Sequence, residues 1–284
     1  MITPESALAL VQAQFPSPLT LQGKFTGGET GAYQVIDDHQ ICYSLKIYDY
    51  PEAAVDLPLV RDYLTHLKSR GYPAPQIITL KSQDHFTVVL QEFVPGEPLE
   101  PLTPNFLPQI LALNQLQAKL IATPSDWPKV LIDTLFSGGH SYCLHSSLTN
   151  YSATTRQILS QLKAIAPAST HLTCAQNDLV HFDFHGGNIF AVNGQLSGVI
   201  DWAGACLGDR FFDLTTLVYY YYLDSSLRQP VEAEVLKHIS KDTLRLYYAH
   251  MILRQLDWSI RHHSPKAITG YLTISQQILK DYPN

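Results

Sequence analysis

Residues 179–190 read Leu179-Val180-His181-Phe182-Asp183-Phe184-His185-Gly186-Gly187-Asn188-Ile189-Phe190, and residues 198–202 read Gly198-Val199-Ile200-Asp201-Trp202. Residues 179–184 and 189–200 read as short strands, the second run folded around the turn pair Asn193-Gly194. The pattern supplies a carboxylate at Asp183, an amide five positions on at Asn188, and a carboxylate thirteen positions further, at Asp201. Phosphoryl transfer needs this set of groups. One acceptor must orient the attacking hydroxyl, and oxygen ligands must hold the divalent ion that bridges the phosphates. Asp183 suits the first role. Asn188 and Asp201 suit the second.

The alternation His181-x-Asp183-x-His185 offers a different chemistry. Alternate residues of a strand point one way, so two imidazoles and a carboxylate would suit zinc or iron in a hydrolase. That reading leaves Asn188, Asp201 and the features of the N-terminal half unexplained.

The 179–202 segment resembles the catalytic loop and metal loop of the aminoglycoside phosphotransferase family, relatives of the protein kinases. Leu207-Gly208-Asp209-Arg210-Phe211-Phe212-Asp213-Leu214 is similar to that family's glycine–aspartate stretch, with its second aspartate four residues on. The resemblance implies that Asp213 holds the catalytic loop by accepting its backbone N–H groups. It also implies that Asp183 is the catalytic residue, that Asn188 and Asp201 bind Mg²⁺, and that ATP is the phosphate donor. Gln91-Glu92-Phe93-Val94-Pro95-Gly96 resembles the family's hinge, where the Glu92 carbonyl and the Val94 amide would meet the adenine edge. Two positions depart from the family's pattern. Phe182 stands where glycine is common, and Gly186 where proline is common.

The N-terminal half agrees. Gly27-Gly28 lies in a turn between strands, where a backbone without Cβ approaches phosphates closely. Lys46 sits in the strand Ser44-Leu45-Lys46-Ile47-Tyr48, where it would pair with the phosphates; a lysine on an edge strand would read instead as a solubility device. The acid that should accompany Lys46 falls, by the resemblance, at Val60. Asp56, Asp62 or no residue at all would then pair with it, and Asp56 reads first as a helix cap.

The 284-residue chain has 19 Lys plus Arg against 25 Asp plus Glu, a formal charge of −6. Charged residues make 15% and hydrophobic ones 45%, which supports a sizeable core and excludes a disordered chain. A net negative chain is a poor polyanion binder, so neither nucleic acid nor membrane is an expected partner. Cys42, Cys143, Cys174 and Cys206 form no C-x-x-C pair and read as reduced thiols. No apolar run reaches the length of a membrane span, and residues 1–5 lack the pattern of a secretory signal, so the expected localisation is cytoplasmic. Composition does not fix the oligomeric state.

Strand-like residues 19–25, 32–36, 40–48, 76–80 and 86–93, with helices near 4–14 and 57–70, predict an α+β N-terminal lobe over residues 1–94. Helical periodicity at 105–121, 153–165, 212–222, 232–250, 251–261 and 267–279 predicts a mainly helical C-terminal lobe over 95–284, with residues 124–150 as loop. The predicted fold class is therefore α+β, of protein-kinase-like bilobal type, with the nucleotide-binding sheet first and the acceptor pocket in the second lobe. The function implied is an ATP-dependent phosphotransferase acting on a small-molecule hydroxyl, of aminoglycoside-, choline- or sugar-kinase type. The competing reading is a catalytically weak nucleotide-binding module. For a polycationic acceptor, Asp224, Glu232, Glu234 and Asp257 are the acidic candidates; Trp202, Trp258 and the tyrosine run 219–222 would suit an aromatic or quaternary-ammonium acceptor, and these residues read first as core rather than pocket.

Overall fold

The computed structural model describes residues 2–25 and 31–283. The glycine pair Gly27-Gly28 lies outside them. Two compact units divide the chain. One holds Met1–Pro101 and Gly186–Ala205, the other Leu102–His185 and Cys206–Asn284.

The first unit is built on a five-stranded antiparallel sheet of β1 (Leu19–Lys24), β2 (Tyr33–Asp37), β3 (Cys42–Tyr48), β4 (Ile77–Gln83) and β5 (Phe86–Glu92), in the order β1-β2-β3-β5-β4. Helix α1 (Pro4–Gln12) starts where Thr3 accepts the Ser6 N–H and Pro4 pre-sets the first turn. Its Ala7 and Val11 pack with Leu19, Val35, Tyr43, Leu45, Val88 and Leu90 into one apolar cluster. Side chains alternate along a strand, so Leu45 on that face sends Lys46 to the other. Helix α2 (Ala53–Ser69) packs on β4, β5 and the turn Trp202–Gly204 through Leu57, Val60, Leu64 and Leu67. It begins four residues earlier than the sequence suggests, with Glu52 at its cap and Asp56 inside the first turn. Pro58 is tolerated within it at the loss of one backbone donor.

A second, three-stranded sheet completes this unit. The two-residue β6 (Glu97–Pro98) pairs with β8 (Ile189–Val192), and β8 with β9 (Gln195–Val199). Strand β7 (Asp178–Val180) precedes them in the chain and β10 (Cys206–Gly208) follows. The β8–β9 hairpin turns through Asn193 and Gly194, both at positive φ (50° and 76°), as an Asn-Gly turn requires.

The second unit is helical apart from the β7–β10 pair. Its helices are α3 (Leu107–Leu116), α4 (Lys129–Ser137), α5 (His145–Tyr151), α6 (Ala153–Ala168), α7 (Phe211–Tyr220), α8 (Ser225–Val235), α9 (Lys241–His262) and α10 (Pro265–Asp281). Helix α9 is the central one and packs on α4, α5, α6, α7 and α10. The structure corrects three expectations here. Residues 124–150 hold two short helices, α4 and α5, rather than loop alone. The strand expected over 179–184 ends at Val180. The helices expected at 232–250 and 251–261 are redistributed into α8 and one continuous α9. The tyrosine run does fill space: Tyr219 and Tyr222 are buried, and their hydroxyls meet Ser275 and Asp281. No helix among the described residues is long and apolar enough to cross a membrane.

Candidate active site

In the first unit, the hairpin brings two of the expected groups together. Ile200 donates its N–H to the Asn188 carbonyl at 2.9 Å, and Ile189 pairs with Val199. Asn188 and Asp201 therefore flank the open end of one hairpin. Asn188 ends the short turn Gly186–Asn188 and is buried. Asp201 takes a left-handed backbone (φ 67°, ψ 54°), a conformation Asp tolerates better than most residues. Its carboxylate meets Lys46, whose Nζ lies 3.0 Å from Oδ1. Lys46 is 7% exposed on the central strand β3, opposite Val89 of β5, so it is no edge-strand lysine. Val60, where the resemblance puts an acid, is buried, and Asp62 pairs with Arg61. The anion beside Lys46 thus comes from the hairpin. The nearby Tyr48 hydroxyl is pushed far above its usual range by burial and by the Asp201 charge.

Glu92 ends β5, and Val94 lies just beyond it. The Glu92 carboxylate accepts from Lys68 Nζ at 2.5 Å and from the Gln76 N–H at 3.0 Å. Val94 packs so tightly on Gly198 that a Cβ there would lie 2.4 Å from Val94 Cγ1. Trp202 is core, its indole N–H donating to the Val199 carbonyl.

In the second unit, Asp213 holds the residues before Asp183. Its Oδ2 accepts the His181 N–H at 2.8 Å and Gln117 Nε2 at 2.6 Å, and its Oδ1 accepts the Phe182 N–H at 2.9 Å. The carboxyl is wholly buried, and burial pushes its pKa up to about 7 against the pull of these donors. Asp209 caps α7 by accepting the Phe211 N–H at 2.9 Å and also accepts the Tyr247 hydroxyl; burial raises it to about 6. His181 is buried under the loop, and its Nδ1 accepts the Asp183 N–H at 3.2 Å. Among the described residues, no group of three or more His, Cys, Asp or Glu is arranged to hold a metal.

Asp183 keeps a 37% exposed side chain. Burial acts to raise its pKa, but the hydrogen bond from His185 and the charge of Arg254 outweigh it and hold the carboxyl well below the usual range. His185 Nε2 lies 3.6 Å from Oδ2, and Arg254 Nη2 donates to Oδ1 at 2.5 Å. Arg254 is the residue that sequence reasoning missed: it lies 71 positions away, in a helix without a polar face to mark it.

The acidic candidates for an acceptor are committed to internal partners. Asp224 caps α8 on Ser226, Glu232 accepts from the Tyr248 and Tyr282 hydroxyls, Glu234 meets Lys237 and His238, and Asp257 meets Ser147 and Arg261. Trp258 stacks on His262 at 3.8 Å. Burial pushes the Cys206 thiol up to about 12.

Comparison with solved structures returns the same fold. A thermostable mutant of the aminoglycoside phosphotransferase APH(4)-Ia, in a ternary complex with AMP-PNP and hygromycin B, is similar over 97% of this chain and 98% of that chain, at 16% identity and a TM-score of 0.74. The amicoumacin kinase hAmiN, in complex with AMP-PNP, Ca²⁺ and Ami, matches over 97% and 93%, at 14% identity and a TM-score of 0.65. An aminoglycoside phosphotransferase from Alicyclobacillus acidocaldarius matches over 99% and 94%, at 13% identity and a TM-score of 0.60. These similarities establish the α+β, protein-kinase-like fold. No curated protein matches the sequence. The sequence profile of the phosphotransferase enzyme family, however, matches residues 24–247, from the end of β1 into α9. That span carries Lys46, the loop at Asp183, the hairpin to Asp201 and the Asp213 clamp, and the chain belongs to the phosphotransferase enzyme family.

Proposed function

We propose that the chain is an ATP- and Mg²⁺-dependent O-phosphotransferase acting on the hydroxyl of a small molecule. The observation that carries this reading is the Lys46–Asp201 contact of 3.0 Å at the hairpin end that Asn188 shares. It joins a buried cation suited to phosphates with an oxygen-donor pair suited to a hard divalent ion. An amide oxygen and a carboxylate, with neither thiolate nor imidazole, fit Mg²⁺ by their chemistry. Asn188 and Asp201 would hold the ion, which supplies neutralisation of the phosphate charge when bound. Lys46 would bind the phosphates, the Glu92 carbonyl and Val94 amide the adenine edge, and the Gly27-Gly28 amides the phosphate chain.

Asp183 does the acid–base work. It accepts the proton of the acceptor hydroxyl as the new P–O bond forms and the bond to the leaving diphosphate breaks. Its depressed pKa keeps it a carboxylate at neutral pH, so it orients the hydroxyl rather than competing with it as a donor.

The test is a transfer assay on a panel of hydroxyl-bearing metabolites that includes hygromycin B, with Asp201→Ala as control. ATP with Mg²⁺ at about 100 times Kd should stabilise the fold by about 2.7 kcal/mol. Stabilisation with transfer to at least one acceptor, both lost in the control, supports the proposal. Stabilisation without transfer favours the nucleotide-binding module. Absence of stabilisation defeats both.

A further inference from the structure

Asp183 is braced from α9 at one carboxylate oxygen and at the carbonyl that precedes it. Arg254 donates to Oδ1 through Nη2, and through Nη1 to the Phe182 carbonyl. Its guanidinium carbon also lies 4.8 Å from the centroid of the Phe182 ring. That ring is fixed in turn. It stacks on Phe212 at 5.3 Å and meets His250 and Tyr142 edge-on at 5.7 and 6.1 Å. Phe182 has φ 74°, a left-handed backbone that a bulky residue seldom adopts and a glycine takes freely. A glycine would offer the guanidinium no ring. The next residue of α9, Gln255, accepts the Tyr220 hydroxyl at 2.8 Å, and the Tyr220 ring lies 5.2 Å from His185, which faces Oδ2.

We propose that Arg254 is a positioning residue for the transfer reaction: clamped on the Phe182 carbonyl and ring, it fixes the Asp183 carboxylate, charged and in place, for the acceptor hydroxyl. The inference rests on the phosphotransferase reading of Asp183. It assigns a purpose to Phe182, whose bulk at a glycine-like position is otherwise a cost. Among the groups that act on the Asp183 carboxyl are His181 and His185 from the loop, Tyr220 from α7 and Arg254 from α9. Arg254 is the one among them that carries a permanent positive charge. Its removal should therefore let the Asp183 pKa rise.

The experiment compares wild type, Arg254→Gln, Arg254→Lys and Phe182→Leu as full-length proteins. Two readouts are taken: the pH profile of kcat with the best acceptor of the panel, and a carbon-13 NMR titration of the Asp183 carboxyl. For Arg254→Gln, kcat should fall about tenfold or more while KM for ATP changes less than about twofold, and the acid limb should move up by about one pH unit or more. Arg254→Lys should restore the acid limb but not the full kcat, because an ammonium keeps the charge and loses the fork. Phe182→Leu, which removes the ring face and keeps the ion pair, should lower kcat with a smaller shift in the same direction. An unmoved acid limb in Arg254→Gln overturns the proposal, as does a Lys variant indistinguishable from the Gln variant. The titration needs neither turnover nor a known acceptor. An Asp183 midpoint in Arg254→Gln equal to that of wild type overturns the proposal by itself. If the Gln variant does not fold, an Asp183 midpoint unmoved in Phe182→Leu overturns it instead. Failure of the phosphotransferase reading shows separately, as absence of transfer by wild type.

Discussion

Asp213→Asn tests the clamp on the loop most directly. The carboxylate accepts three N–H groups, two on Oδ2 and one on Oδ1. An asparagine has one oxygen. Placed at the Oδ2 position it keeps the bonds from His181 N–H and Gln117, and its amide then faces the Phe182 N–H donor to donor. Gln117 cannot simply rotate to compensate, because its Nε2 also donates to the Leu179 carbonyl and its Oε1 accepts from Asn114. One buried donor left unsatisfied costs about 1–3 kcal/mol, and two bonds losing a charged acceptor cost about 0.5–1 kcal/mol each. The relief of burying a neutral group returns part of this. The expected net loss is about 3 kcal/mol, or about 6–12 °C in Tm for a protein of this size. Urea denaturation read by circular dichroism measures it. The same variant should lose transfer activity more than nucleotide affinity, since the clamp acts on residues 181–182, next to Asp183. A loss under about 1 kcal/mol with unchanged kcat would refute the claim that Asp213 fixes the loop.

Asp183→Asn should lower kcat by about 10²–10⁴ while leaving the stabilisation by ATP and Mg²⁺ intact; unchanged turnover sinks the assignment. Gly198→Ala would drive a methyl against Val94, an overpacking worth about 1–3 kcal/mol, and should raise KM for ATP; adding Val94→Ala should relieve it, and strict additivity of the two changes counts against the reasoning. His250 is wholly buried between Phe182, Phe212 and Cys143, and burial, aided by the Arg254 charge, lowers its pKa to about 3. The unfolded chain therefore takes up a proton that the folded one refuses, and stability from this group falls as pH drops from about 6.5 toward 3. His250→Phe should flatten the slope in that window by about 1.4 kcal/mol per pH unit, measured by urea denaturation at successive pH values; an unaltered slope excludes the burial argument.

The loop and hairpin were legible because their chemistry is local. Asn193-Gly194 dictates its own turn, and the spacing from Asp183 to Asn188 to Asp201 is written in one stretch of 19 residues (201 − 183 + 1). The five strands of the first sheet were legible from alternation, with ends displaced by up to three residues. Helix α9 reads as helical but with the wrong bounds, starting at 232 and broken at 250, because its long middle is buried on most sides and offers no polar face to set a register. For the same reason Arg254 stood out from nothing around it. Helices α4 and α5 have nine and seven residues amid Ser, Gly and Pro, too short to display a repeat. Local reasoning places the partner of Lys46 on α2, whereas Asp201 lies 155 residues downstream. Tertiary pairing over that distance leaves no trace in a window.

That separation has a consequence for synthesis. The first unit draws its last strands, β8 and β9, from residues 186–205, so it stays incomplete on the ribosome until the chain has grown past Ala205. Until then β6 has no strand to join, and Lys46 sits in its sheet without its counter-ion. Through all that time residues 102–185, a stretch of the other unit, have already emerged. The first unit therefore closes only after part of the other has left the ribosome, and a truncated product ending near residue 101 would expose an unfinished edge to chaperones rather than behave as a free-standing module.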